Sequence, residues 1–183
     1  FLLVGTMNPE EGELRPQIAD RIGLDVEVEA IADGGVRAEV LRRREAFGAD
    51  AAAFAASWRA EEEALAARVE QARARVRAVR VPDRLYEAIA LLVVRSGVAS
   101  HRADVAVLEC AKALAALDGR DEVTRDDVLA AARLALGHRV PVDPFDAGSG
   151  IDDRLLRRIL DDVLDVDVEE EHRKKAAGPA APG

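Results

Sequence analysis

With 183 residues the chain has room for one ordinary domain or one and a half small ones, and 49% hydrophobic content with only 3% aromatic points to a helix-favouring core of Ala, Leu and Val. Its 35 acidic against 26 basic side chains give a formal net charge of −9, so nothing in the overall balance draws it to nucleic acid or to an anionic membrane. The single cysteine, Cys110, cannot form an internal disulfide, which fits a reducing cytosol, and neither a signal peptide nor a spanning segment is visible.

Phe1 to Val4 form an apolar run without alternation, as in a strand buried on both faces of a parallel sheet, and this places Asn8 at the strand's carboxyl end. In open α/β sheets ligands bind outside those ends, where an amide can orient a water or a phosphate oxygen. Pro16 suits the first turn of a short helix that carries Gln17 to Arg21 and ends near Gly23. Leu24, Val26 and Val28 alternate with Asp25, Glu27 and Glu29, which predicts a second strand with one wet face. The acids Glu10, Glu11 and Glu13 between them read as a solvated loop rather than as acid/base groups. Because Phe1 opens directly in a central strand without an initiator Met, the chain is expected to be the back part of a longer protein.

Beyond Gly34-Gly35, Val36, Val40, Leu41 and Phe47 mark a helix whose other face is basic, with Arg37, Arg42, Arg43 and Arg44; a solvated face explains the cluster better than a phosphate site. Asp50 to Val79 contains neither Gly nor Pro and predicts one long helix, with a narrow seam of Trp58, Leu65, Val69, Ala72, Val76 and Val79. A plain bundle helix or a coiled-coil dimer would show the same stripe. Leu85, Ile89, Leu92 and Val93 define the next helix, ending at Ser96-Gly97, and Ser100 caps the one after it, which Asp118-Gly119 ends. Arg102 lies in the first turn of that helix. An arginine is unfavourable at a positive helix end unless an anion is held there, so Arg102 is a phosphate-binding candidate. Thr124 and Asp127 resemble a capping box that opens a helix finishing near Gly137-His138-Arg139. The connector 141–150 leads to an amphipathic helix with Ile151, Leu155, Leu156, Ile159, Leu160 and Val163, and from Asp165 the composition is that of a linker. His101, His138 and His172 are scattered and no set of ligands has metal-binding spacing, so no metal site is expected.

GTMNPEEGELRPQ followed by ADRIGLDVEV resembles the AAA+ ATPase subunits of magnesium chelatases and related cobalt chelatases. The resemblance implies that Asn8 is the sensor 1 residue, that Arg21 is an arginine finger acting in trans with Asp20 in support, and that Arg102 is sensor 2, reaching the γ-phosphate of ATP. Two departures are visible: Ile22 stands where an aromatic is commoner, and Ala99-Ser100-His101 leads into Arg102 where Gly-Leu is usual. The implied fold is the α/β remnant of a P-loop AAA+ domain, the last strands of a parallel sheet, followed by a mainly α-helical lid bundle. In these terms 1–30 closes the nucleotide-binding domain, 31–140 is the lid with its long inserted helix, 141–164 is a connector and terminal helix, and 165–183 is an acidic Ala/Pro/Gly linker.

The implied activity is ATP-driven insertion of Mg²⁺ into protoporphyrin, or of Co²⁺ into a corrin precursor, in the cytoplasm. ATP and Mg²⁺ are the implied cofactors. The implied partners are further copies in a hexameric ring, an integrin-like metal-binding domain or subunit, and a large porphyrin-binding subunit, with no nucleic acid and no membrane insertion. No GxxxxGK[ST] loop and no strand ending in paired acids occurs, so the phosphate cradle must lie upstream and the fragment alone should hydrolyse nothing. Two other readings share these parts: an AAA+ chaperone that matures metalloenzymes, and a non-hydrolysing subunit for ring assembly. Decay of the upstream motifs would favour the last.

Overall fold

The structure is a computed structural model that describes residues 2–8, 15–140 and 154–162. Six helices are bounded: α1 (Pro16–Ala19), α2 (Gly34–Ala49), α3 (Ala51–Arg75), α4 (Asp83–Arg95), α5 (His101–Leu117) and α6 (Arg125–Leu136). A 3₁₀ turn, Val76–Ala78, prolongs α3, and residues 154–162 form a further helical segment, α7.

The core belongs to α4, α5, α6 and α7. Leu85, Ala88, Ile89, Leu92 and Val93 recur at helical spacing and are buried on α4, while Leu156, Ile159 and Leu160 are buried on α7. Between α5 and α6 the buried residues are largely alanine, with Ala103, Ala111, Ala115, Ala131, Ala132 and Ala135 fully covered. Side chains this small let two helix backbones approach closely, so the fold is filled with very few aromatic residues.

Both sharp helix ends follow one plan. After α4 and after α5 the chain turns through a glycine at positive φ, Gly97 at 74° and Gly119 at 75°. The amides of Val98 and Arg120 then donate back to Val93 O (3.3 Å) and Ala115 O (2.9 Å), satisfying carbonyls that the helix leaves open. At the start of α6 the capping box of Thr124 and Asp127 is formed, and Asp127 also takes both guanidinium nitrogens of Arg120 at 2.6 Å. The turn between α5 and α6 is thereby fixed, and it sets the two helices antiparallel. One isolated parallel bridge, Arg80 with Glu122, ties the end of the α3 segment to the same turn.

α2 and α3 form a hairpin around a single residue. Asp50 ends α2 and caps α3, its carboxylate accepting from the Ala53 amide at 2.9 Å. Phe47 meets Phe54 edge-on at 5.8 Å between ring centroids, and Arg43 lies 4.4 Å over the Trp58 ring. The expected seam of α3 is only partly used: Ala72 is buried, but Leu65 is 56% and Val69 is 40% exposed. The physical reason is reach. α5 ends at Leu117, beside Arg68, whose guanidinium donates to Leu117 O (2.9 Å) and Asp118 Oδ1 (3.2 Å), so the earlier turns of α3 extend past it with only α2 alongside.

The sheet remnant is not present among the described residues. Leu2, Leu3 and Val4 are 89%, 78% and 79% exposed, and Val26 and Val28 also face solvent without strand geometry. A strand is satisfied by a neighbour's backbone, and neither stretch has such a neighbour among the described residues, so apolar pattern alone does not produce the sheet. The expected connector at 141–150 and the linker at 165–183 lie outside the described residues, as do Phe1 and the acids Glu10, Glu11 and Glu13.

Candidate functional site

Because α5 and α6 run antiparallel, the amino end of α5 and the carboxyl end of α6 lie at the same end of the pair, and the turn after α1 is held against both. Ser100 caps α5, its hydroxyl accepting from the Arg102 amide. Arg102, in the first turn, meets the anion that its position calls for: Nη1 donates to Asp20 Oδ2 at 2.7 Å. The Ser100 hydroxyl and the Arg102 guanidinium, aided by the charge of Arg139 and opposed by partial burial, hold the Asp20 carboxyl below the usual carboxylate range. Two of the residues singled out in the sequence, Asp20 and Arg102, are therefore brought into direct contact across 82 positions of chain.

Arg21 follows Asp20 in the same turn. It is exposed, and its guanidinium makes no hydrogen bond or ion pair among the described residues, while its amide is tied to Ile18 O at 2.9 Å. Asn8 is also exposed, and no hydrogen bond joins it to Asp20, Arg21 or Arg102, so the expected sensor 1 residue is not assembled with the other three.

Two residues that sequence reasoning passed over complete the arrangement. Arg139 lies just past α6 and turns its side chain onto the same segment. Nη2 donates to Ile22 O (2.6 Å) and Asp20 O (3.2 Å), and Nη1 donates to Gly23 O (3.2 Å) and to Ala135 O. His138 Nε2 donates to Ile22 O at 3.0 Å, and the Asp25 amide donates to Leu134 O at 2.8 Å. Burial pushes the Arg139 guanidinium below its ordinary value while the Asp20 charge raises it, and the carbonyls at the end of α6 favour a cation there. The sequence signal was a basic pair directly after a helix-ending glycine, Gly137-His138-Arg139.

At the opposite end of α5 and α6 an open depression of about 420 Å³ is lined by Leu114, Asp118, Arg120, Thr124, Asp126, Asp127 and Ala130. Three of its charged groups already satisfy one another through the Arg120–Asp127 and Arg120–Asp118 contacts, and the exposed Asp126 pairs with Arg125. Among the described residues no group of three or more His, Cys, Asp or Glu is placed to hold a metal ion, and no helix is long and apolar enough to cross a membrane.

Residues 86–159 match the family model described as the AAA lid domain. A magnesium-chelatase subunit ChlI homolog from Methanocaldococcus jannaschii is 47% identical over 146 residues, covering 80% of this chain and 40% of that protein. The magnesium-chelatase 38 kDa subunit of Cereibacter sphaeroides is 43% identical over 150 residues, 81% of this chain and 45% of its own. An uncharacterized protein of Mycobacterium tuberculosis is 48% identical over 164 residues, 90% of this chain and 25% of its own. The chain thus spans less than half the length of these relatives. A solved structure described as a putative ATPase from Cytophaga hutchinsonii shares the fold, with a TM-score of 0.56 at 20% identity over 81% of this chain and 48% of that one. Residues 86–159 are thus similar to an AAA lid, and about four fifths of the chain is similar to magnesium-chelatase subunits.

Proposed function

We propose that the chain is the sensing half of an ATP-hydrolysing motor that, in its complete form, drives Mg²⁺ into a tetrapyrrole such as protoporphyrin held by a separate large subunit. The observation that carries this reading is the Asp20–Arg102 contact at 2.7 Å, which sets a lid arginine beside the turn that offers Arg21 to solvent. The magnesium-chelatase names of the relatives supply the substrate metal; insertion of Co²⁺ into a corrin precursor would use the same parts.

Both arginines fit a nucleotide triphosphate. A guanidinium is a permanent, planar cation that can take two phosphate oxygens at once, and Arg102 also stands at a helix amino end where anions are favoured. When bound, ATP supplies the phosphoryl group to be transferred. Arg102 would exchange Asp20 Oδ2 for a γ-phosphate oxygen and so report nucleotide to the lid. Arg21 would reach the nucleotide of a neighbouring subunit and oppose the negative charge that develops during transfer. Asn8 would orient the attacking water once residues 2–8 pair, with 24–29, in the sheet of the nucleotide-binding domain. Among the described residues no group of three or more His, Cys, Asp or Glu fits Mg²⁺, and none of them takes a step through that ion. In the complete cytoplasmic protein, copies would form a ring, hexameric in this reading, and work with an integrin-like metal-binding domain and the tetrapyrrole-binding subunit.

The test is made in the complete protein. Arg102→Ala should weaken ATP binding or turnover without loss of helical content, because an exposed first-turn side chain has little packing to lose. Arg21→Ala should lower turnover by about 10³-fold while ATP still binds. Mixed with subunits that lack the lysine of the phosphate-binding loop, it should regain part of the activity. A flat, inactive response at every mixing ratio would refute the action in trans.

A further inference from the structure

We infer that Arg139 is a positioning residue for Arg21: the carboxyl end of α6 grips the turn on both sides of Arg21, so that the lid and the proposed arginine finger move as one body. The inference rests on the reading of Arg21 above and adds the device that aims it. α1 has only four residues and buries none of them, so it cannot fix the direction of Arg21 by its own packing. The attachments come from the lid. Arg139 takes the carbonyls of Asp20, Ile22 and Gly23, the residues that flank Arg21, at 3.2, 2.6 and 3.2 Å. His138 shares the Ile22 carbonyl, and the Asp25 amide closes the far side on Leu134 O.

The choice of arginine follows from this task. Removing a guanidinium from water is costly unless its donors are used, and here the two terminal nitrogens serve three carbonyls of the turn as well as Ala135 O of their own helix, while Nε is buried without a partner among the described residues. Lysine could keep the charge at the end of α6, but its compact ammonium lacks the fork that spans residues 20 to 23. Asp20 joins the same body through Arg102 on α5. A movement of the lid at one nucleotide would then be passed directly to the finger that serves the next, without a flexible link between them.

The experiment uses the complete protein with three variants, Arg139→Met, Arg139→Lys and Arg21→Ala, and four readouts: ATP affinity, phosphate release, amide hydrogen exchange, and activity in mixed rings. Arg139→Met is expected to lower turnover about tenfold to a hundredfold, the scale of a misplacement by about 1 Å, with ATP affinity within about twofold of wild type. Exchange at residues 21–25 should accelerate while the buried amides of α5 and α6 keep their protection. Mixing with subunits that lack the phosphate-loop lysine should restore part of the activity, as is expected for Arg21→Ala. Arg139→Lys should fall between Met and wild type, and it decides the matter if the Met variant does not fold. Wild-type turnover in Arg139→Lys together with an unfolded Met variant, or wild-type turnover in a folded Met variant, would overturn the inference. Full activity in Arg21→Ala would instead overturn the finger reading itself, so the two failures are distinguishable.

Discussion

Asp127→Ala tests how much the α5–α6 turn, at the end of the helix pair opposite Arg102 and Arg139, contributes to the stability of the fold. The Asp127 carboxylate is 5% exposed and accepts from the Thr124 amide and hydroxyl, both at 2.8 Å, and from both terminal nitrogens of Arg120 at 2.6 Å. Truncation removes a helix cap, worth about 1 kcal/mol, and one side of a largely buried ion pair, for which about 3–5 kcal/mol is usual. The second figure must be discounted, since the Arg120 side chain is 35% exposed and keeps Asp118 at 3.1 Å. A total of about 3 kcal/mol remains, which for a domain of this size lowers the melting temperature by roughly 10 °C. Burial raises the Asp127 carboxyl, but the hydrogen bonds of Arg120 and Thr124 outweigh it and hold the folded-state value below the usual aspartate range. A depressed folded value stabilises the fold above the ordinary aspartate pKa, and that stability is lost as pH falls through the folded value. Thermal melts followed by circular dichroism should show the full difference at neutral pH and a shrinking one in acid. A loss of under about 3 °C at neutral pH would refute the argument.

Two further outcomes concern other parts of the fold. Arg43→Ala should cost about 1 kcal/mol or less and change the emission of Trp58, the only tryptophan, because the guanidinium lies 4.4 Å over its ring; unchanged fluorescence would show that the contact is not kept in solution. Cys110 is buried and its thiol is pushed up by that burial, so a thiol reagent should modify native protein only as fast as the fold opens, and immediate stoichiometric labelling would contradict the packing of α5.

What could be read from the sequence depended on how far apart the interacting groups lie. The glycine ends at Gly97 and Gly119, the Ser100 cap and the Thr124–Asp127 box are made within a few residues, and their residue types carry the signal directly. The strands failed for the opposite reason, because Leu2 to Val4 and Leu24 to Val28 carry the pattern of strands whereas a sheet needs a second backbone. Arg102 was an intermediate case: its place in a first turn demanded an anion, but nothing in the local pattern named Asp20, 82 residues earlier. For Arg139 the basic pair after Gly137 marked a helix end but named no partner, since it binds backbone carbonyls 116 to 119 residues away and every residue has a carbonyl.

The charge around the turn bearing Arg21 resolves an apparent conflict between a net charge of −9 and a proposed phosphate ligand. Among the described residues Asp20 is the carboxylate that pairs with this group of Arg21, Arg102 and Arg139, so these four side chains together carry an excess of two positive charges. Charges on distant surfaces are screened over about 8 Å at physiological ionic strength, whereas groups in contact with a ligand are screened far less. The acidic remainder of the chain therefore limits long-range attraction of polyanions without preventing a phosphate from being held at this end of the lid. The three cations also have separate tasks. Arg139 gives both terminal nitrogens to carbonyls and Arg102 is paired with Asp20, which leaves Arg21 as the one guanidinium of the three without a partner among the described residues. If a ligand phosphate takes Nη1 of Arg102 from Asp20, as proposed, its binding is an exchange between two anions, and that exchange changes one of the contacts that hold the turn bearing Arg21.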